Sequence, residues 1–117
     1  MEDFLYHYRA KVISVYDGDT ITVDIDLGFN IIMRGEKVRL HRINAPELKG
    51  RSRKKGLASQ DYLRSLLLEK EIDLQTVKDR KEKYGRFLGE IWLTIDGKEI
   101  NINDEMVAKG FAKYQTY

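Results

Sequence analysis

Apolar and polar residues alternate along the first half of the chain. Ile21, Val23, Ile25 and Leu27 interleave with Thr20, Thr22, Asp24 and Asp26, the period of two of a strand with one buried face. A strand over Tyr8 to Tyr16 leads into this one through Asp17-Gly18-Asp19-Thr20, a turn signal. Gly28 and Gly35 bracket a third short run, Phe29 to Arg34, and Val38 to Ile43 makes a fourth. The period then changes. Across Gly56 to Leu68, Leu63, Leu66 and Leu67 recur at helical spacing with Ala58 or Ser59 one turn earlier, which predicts an amphipathic helix. A strand follows at Glu71 to Val77, then a highly charged connector. Next comes a hairpin, Arg86 to Thr94 and Lys98 to Ile102, joined at the type I′ dipeptide Asp96-Gly97. Asn103 is placed to cap a short second helix that ends before Gly110.

This order predicts an α+β, mainly β fold, a small closed or partly closed barrel with one main helix and a short second helix. At 117 residues the chain suffices for one core, so residues 1–117 read as one domain. Barrels of this size leave few exposed edges and commonly bind nucleic acid, although fold alone does not give function. A composition of 42% hydrophobic and 34% charged residues is that of an ordinary globular chain. With 21 Lys and Arg against 19 Asp and Glu, net charge does not select a nucleic-acid partner, and the distribution of charge has to be read instead. The absence of cysteine rules out disulfides and thiolate metal sites. No apolar stretch reaches transmembrane length, and the start, Met1 to Tyr8, lacks the organisation of a secretory leader. The chain as given therefore reads as cytoplasmic, away from membranes and with no obligate protein partner evident; a trimmed secreted protein would begin the same way.

Three stretches concentrate polar groups that such a barrel does not need for packing. In Asp17-Gly18-Asp19-Thr20, two carboxylates flank a glycine, a hard-oxygen corner suited to Ca²⁺ or Mg²⁺, or else a plain hairpin turn. In Arg39 to Glu47, Pro46 forces Ala45 into extended backbone and so fixes where the Ala45 carbonyl and the Glu47 side chain point. A preset acid beside a strand arginine suits a general base next to a phosphate clamp; the plain alternative is a strand end with solvated charges. His41 reads as a satisfied strand residue, because no second histidine sits at metal-binding spacing. Lys78 to Arg86, together with Lys49, Arg51, Arg53, Lys54 and Lys55, gathers ten basic residues into two short stretches. Facing one groove they would bind phosphates, and facing solvent they would be ordinary loops. Tyr84, between Lys83 and Arg86, suits a base or sugar next to a phosphate.

In their order and spacing these motifs resemble the staphylococcal nuclease (thermonuclease-like) family, from about Arg9 to Lys113. The resemblance rests on Asp17-Gly18-Asp19-Thr20, Val38-Arg39-Leu40, Ala45-Pro46-Glu47, Lys83-Tyr84-Gly85-Arg86 and the run from Asn103 to Gly110. It implies a five-stranded OB-type barrel and a metal-dependent endonuclease acting on DNA and/or RNA with 3′-phosphate products. By position, Asp19 resembles the family's metal carboxylate with Asp17 supporting it, and Ala45 would offer a backbone carbonyl. Glu47 resembles the carboxylate that orients or deprotonates water, and Arg39 and Arg86 the guanidinium pair that holds the phosphate. Lys83 and Tyr84 fall where the family contacts a terminal phosphate.

Asn44 stands where the family usually has an aspartate, so one anionic ligand is replaced by an amide oxygen. Ca²⁺ is the cation the resemblance implies, and the weaker ligand set admits Mg²⁺ or Mn²⁺. Tyr114 and Tyr117 have no clear counterpart among the family's nucleotide-stacking tyrosines. The principal alternative is a non-catalytic nucleic-acid or protein-binding module on the same barrel, which should lose the arginine pair or the glutamate first. A generic single-strand-binding barrel would alternate aromatic and basic residues on its strands. Here the aromatics gather instead at Tyr6, Tyr8 and Tyr16 and at the C-terminal end.

Overall fold

The computed structural model describes residues 5–115. Met1 to Phe4, part of the stretch read for a leader, and Thr116 and Tyr117 lie outside them. In chain order the elements are β1 (His7–Asp17), β2 (Thr20–Asp26), β3 (Ile32–Leu40), β4 (Ile43–Asn44), α1 (Arg53–Leu67), β5 (Glu71–Lys81), β6 (Phe87–Ile95), β7 (Lys98–Asn101), α2 (Ile102–Ala108) and β8 (Lys113–Tyr114).

β1, β2 and β3 form an antiparallel meander, and β1 also pairs with β5, which pairs with β6. β6 then returns to β3 in parallel, Val38 opposite Phe87 and Leu40 opposite Gly89. That pairing closes β1, β2, β3, β6 and β5 into the five-stranded barrel expected of the OB type. The alternating apolar positions point inward: Val12, Ile21, Val23, Val38, Leu40, Leu74 and Ile91 are fully buried. α1 adds Leu63 and Leu67 to this core, β4 adds Ile43, and α2 adds Ile102 and Met106. β4 and β8 form a separate two-stranded ladder. No helix among the described residues is long and apolar enough to cross a membrane.

The expected hairpin at Asp96-Gly97 is present, with φ of 52° and 78° as a type I′ turn requires. Elsewhere the elements depart from the local pattern. Phe29 and Asn30, at φ 55° and 64°, make the β2–β3 turn instead of opening a strand. The third and fourth runs are then one strand: Gly35, at φ 69°, is a kink inside it whose N–H donates to Asp24 Oδ1 at 2.9 Å. β3 ends at Leu40, and a turn through Arg42 (φ 71°) separates it from Ile43.

α1 begins at Arg53, a turn earlier than its apolar periodicity, because Arg53, Lys54 and Lys55 are all exposed there. Its inward residues are Gly56, Ser59, Leu63 and Leu67, while Leu66 is only half-buried. β5 continues to Lys81 past Lys78 and Asp79, whose positive φ angles shift the register.

α2 is capped by Asn101, whose side chain accepts from Asp104 N at 2.9 Å, and not by Asn103. Asn103 is fully buried two residues further in. It accepts from Ile91 N at 3.0 Å and donates to the carbonyls of His41 and Gly89 at 2.9 and 3.0 Å. One amide thus bonds three backbone groups and fastens α2 to β6 and to the β3–β4 turn.

Candidate active site

The β1–β2 turn and the β3 and β6 ends beside it bring the polar motifs to one end of the barrel. Asp19 N donates to Asp17 Oδ1 at 3.0 Å, and the Asp19 carbonyl accepts from Leu40 N at 2.7 Å. The Asp19 side chain is almost fully buried: Oδ2 accepts from Ala45 N at 2.8 Å and Oδ1 from the Thr20 hydroxyl at 3.2 Å. Gly18 is required by close approach, since a Cβ there would stand 2.7 Å from those of both Ala45 and Ser59. Burial raises the Asp17 carboxyl, and the hydrogen bond and charge it shares with Asp19 raise it further, to about 6. Arg39 acts in the opposite sense.

Arg39 lies opposite Thr20 in the β2–β3 register. Its guanidinium donates to the carbonyls of Leu40 and Ile43 at 2.8 and 2.9 Å and to Asn44 Oδ1 at 3.3 Å. The same Nη2 stands 3.4 Å from Asp19 Oδ2. Asp19 and Asn44 therefore share one guanidinium nitrogen, which settles that the Asn44 amide oxygen belongs to this cluster.

Arg86 enters from β6 and is held fork to fork by Glu82, Nε to Oε1 at 3.0 Å and Nη2 to Oε2 at 3.1 Å. Its Nη1 donates to Thr20 Oγ1 at 3.2 Å, so Thr20 joins Arg86 to Asp19. The pairing raises the Arg86 pKa and draws the Glu82 carboxyl down to about 2. Glu82 Oε1 also accepts from the backbone N–H groups of Tyr84 and Arg86, so this one carboxylate shapes the whole 82–86 loop. Tyr84 is 71% exposed, with Lys83 Nζ and Arg86 Cζ at 5.1 and 5.6 Å from its ring centre.

Glu47 is exposed and shares an open depression of about 320 Å³ with Tyr16, Asp17, Leu48 and Lys49. α1 sets the backbone there: a Cβ on Gly56 would overlap the carbonyls of Pro46 and Glu47. Arg53 donates to Leu48 O at 3.2 Å. Arg51 and Lys54 are exposed, and Lys55 lines a second depression on the Asn44–Pro46 side. The basic cluster is thus divided between two faces. Tyr114 donates to Asp104 at 2.9 Å and lies under Arg42, which binds Glu90, so it belongs to a network bracing β4 and β8; Tyr117 lies outside the described residues.

Two coupled carboxylates and an amide oxygen form a hard-oxygen donor set, and the like-charge pairing of Asp17 with Asp19 is what a divalent cation would relieve. Among the described residues no group of three or more His, Cys, Asp or Glu is placed to hold a metal, and the Asp19 oxygens and the Asn44 amide oxygen already accept from Ala45 N, Thr20 Oγ1 and Arg39 Nη2.

Thr20, Glu82, Gly18 and Gly56 were missed as site residues by the sequence reading. Glu82 was hidden in a run of solvated charges, although its i,i+4 spacing to Arg86 was a readable signal. Gly56 carried another, since a glycine inside a helical pattern marks close approach of backbone.

Residues 37–117 match the family described as staphylococcal nuclease homologue, and the chain belongs to that family. It is 32% identical over 110 residues to a thermonuclease of Staphylococcus hyicus, covering 92% of this chain and 59% of that protein. An uncharacterised protein of Methanocaldococcus jannaschii is 30% identical over 130 residues, with the same two coverages of 92% and 59%. Protein ParB of Escherichia coli is 32% identical over 113 residues, 89% of this chain and 55% of that protein. The chain thus spans little more than half the length of these relatives.

Proposed function

We propose that this chain is a metal-dependent nuclease that hydrolyses phosphodiester bonds in DNA and/or RNA, cutting internally and leaving 3′-phosphates. The observation that carries the reading is the convergence of Asp17, Asp19, Arg39 and Arg86 around Thr20, from three separate segments. Membership of a nuclease family and likeness to a thermonuclease support it.

Asp19, the Asn44 amide oxygen and the Ala45 carbonyl would hold a hard divalent cation, Ca²⁺ first and Mg²⁺ or Mn²⁺ as alternatives, with Asp17 behind them. Bound there, the cation would supply positive charge to offset that of the phosphate. Arg39 and Arg86 would bind the phosphate through guanidinium N–H groups that now donate to Asn44 Oδ1 and Thr20 Oγ1, a match in geometry as well as charge. Glu82 fixes the Nε–Nη2 edge of Arg86, so its Nη1 is held at the Thr20 side, toward Asp19. Glu47 orients water and takes its proton as the oxygen adds to phosphorus; the P–O5′ bond breaks and the 5′-oxygen leaves with a proton from solvent. Lys49, Arg51, Arg53, Lys54, Lys55, Lys83 and Tyr84 hold the flanking strand.

The test is degradation of plasmid DNA and of structured RNA with Ca²⁺, Mg²⁺, Mn²⁺ or chelator in parallel, followed by end-group analysis. Cation-dependent cleavage with 3′-phosphate ends is expected. Binding of either polymer without cleavage under every cation would replace this reading with that of a binding module.

A further inference from the structure

A depression of about 490 Å³ lies outside the cluster of Asp19 and the two arginines but shares an edge with it. Asn44 and Ala45 line it, and both are tied to the cluster, Asn44 through Arg39 and Ala45 through Asp19. Its volume falls in the about 300–1,000 Å³ range of sites that take small organic groups. Pro46, Ala58 and Phe111 give it apolar surface, and Lys55 and Lys113 supply charge. No acidic residue lines it, and neither lysine has an ion-pair partner among the described residues.

The walls are braced without help from any occupant. Phe111 stacks on Tyr62 with ring centres 4.6 Å apart, and its carbonyl accepts from the buried Ser59 hydroxyl at 2.6 Å. Lys113 is the direct partner of Asn44 in the β4–β8 ladder, so one lysine stands beside the residue that touches Arg39. The depression beside Glu47 differs in that Asp17 and Glu47 line it together with Lys49.

A depression with apolar and polar walls, flanked by two lysines without ion-pair partners among the described residues and bordering the proposed phosphodiester site, suits one chemical unit, a base with its phosphate. We infer that this depression is a nucleotide subsite, which seats the nucleotide adjoining the scissile phosphate with its base against Pro46, Ala58 and Phe111. Lys55 and Lys113 then hold that nucleotide's outer phosphate. The inference rests on the proposed action on nucleic acid, but it concerns binding and does not need cleavage.

Fluorescence anisotropy of a labelled single-stranded 8-mer, as DNA and as RNA, measured in chelator over a range of salt, tests it apart from catalysis. The full chain is compared with Lys55→Ala/Lys113→Ala, with Ala58→Trp, which fills the slot from an exposed helix position, and with Lys98→Ala/Lys11→Ala, which removes equal charge elsewhere. Losing both lysines should weaken binding about tenfold and reduce the salt slope by about 0.7, the share of the one phosphate they hold on a single strand. Ala58→Trp should weaken binding by a similar factor with the slope unchanged, and the control pair should leave affinity within about twofold. Equal losses from the control and the Lys55/Lys113 pair would overturn the subsite, as would an unaffected Ala58→Trp. Failure to cleave in the degradation assay, with these binding losses intact, would remove the nuclease reading and leave the subsite standing; no binding of either 8-mer would remove both.

Discussion

Asn44 is the residue where substitution and geometry meet most closely. Its side-chain oxygen faces the same guanidinium nitrogen as Asp19, so an aspartate there would add charge to the cluster without changing shape. Asn44→Asp should tighten Ca²⁺ binding by about tenfold, because charged ligand count sets affinity in such sites over orders of magnitude. Calorimetric titration of both proteins measures it, and equal or weaker binding by the aspartate variant would place residue 44 outside the ligand set. Asp17 makes a second, pH-dependent case. Its folded pKa, about 6, lies above the ordinary 3.8, so its ionised form is the disfavoured one in the folded chain. The penalty is fully present above pH 6 and disappears as pH falls below about 4. In metal-free buffer Asp17→Asn should therefore melt higher than the parent at pH 8, by on the order of 1 kcal/mol or about 4–8 °C, with the gap closing toward pH 4. Identical melting curves at pH 8 would mean that the carboxylate pair carries no such strain.

At the scale of elements, the 82–86 loop shows why part of the site was legible and part was not. Lys83, Tyr84 and Arg86 stood out as a motif, while Glu82, which orders them through four accepted hydrogen bonds, looked like surface charge. Pattern reports what faces the core, and a half-exposed brace leaves no trace in it. The same reason explains the hidden start of α1, whose first turn is all exposed cations, and the reading of Gly35 as a break when a positive φ only kinked β3. Glu82 is held at about 2, well below its ordinary 4.5, so its contribution persists at neutral pH and is lost only as pH falls through that value. Glu82→Gln should speed amide exchange at Tyr84 and Arg86 at least severalfold at pH 7, as two hydrogen bonds lose their charge assistance and the fork to Arg86 is broken. The parent should retain that protection down to about pH 3. Unchanged exchange in the variant would show that the loop is ordered by its backbone alone.

For the whole molecule, the alternation of β2, the Asp96-Gly97 hairpin and the main helix were readable because each is a local signal. Barrel closure was not readable in that way. It depends on the parallel pairing of Val38–Leu40 with Phe87–Gly89, segments far apart in sequence, and on Asn103, whose buried amide looks in sequence like a helix cap. The order of strands pointed to a closed or partly closed barrel and the resemblance of spaced motifs to its five-stranded OB type, and the closed pairing places Arg39 and Arg86 at the same barrel end. Cleavage of a single end-labelled oligonucleotide by the parent chain and by Arg39→Lys, each in saturating Ca²⁺ and in excess chelator, tests the proposed site most directly. Lysine keeps the charge but loses the fork, so the variant should be slower by about 10²–10³-fold, the scale of one lost oxyanion donor, and chelator should abolish cleavage by the parent. Undiminished cleavage in chelator, or equal rates for parent and variant, would contradict the account.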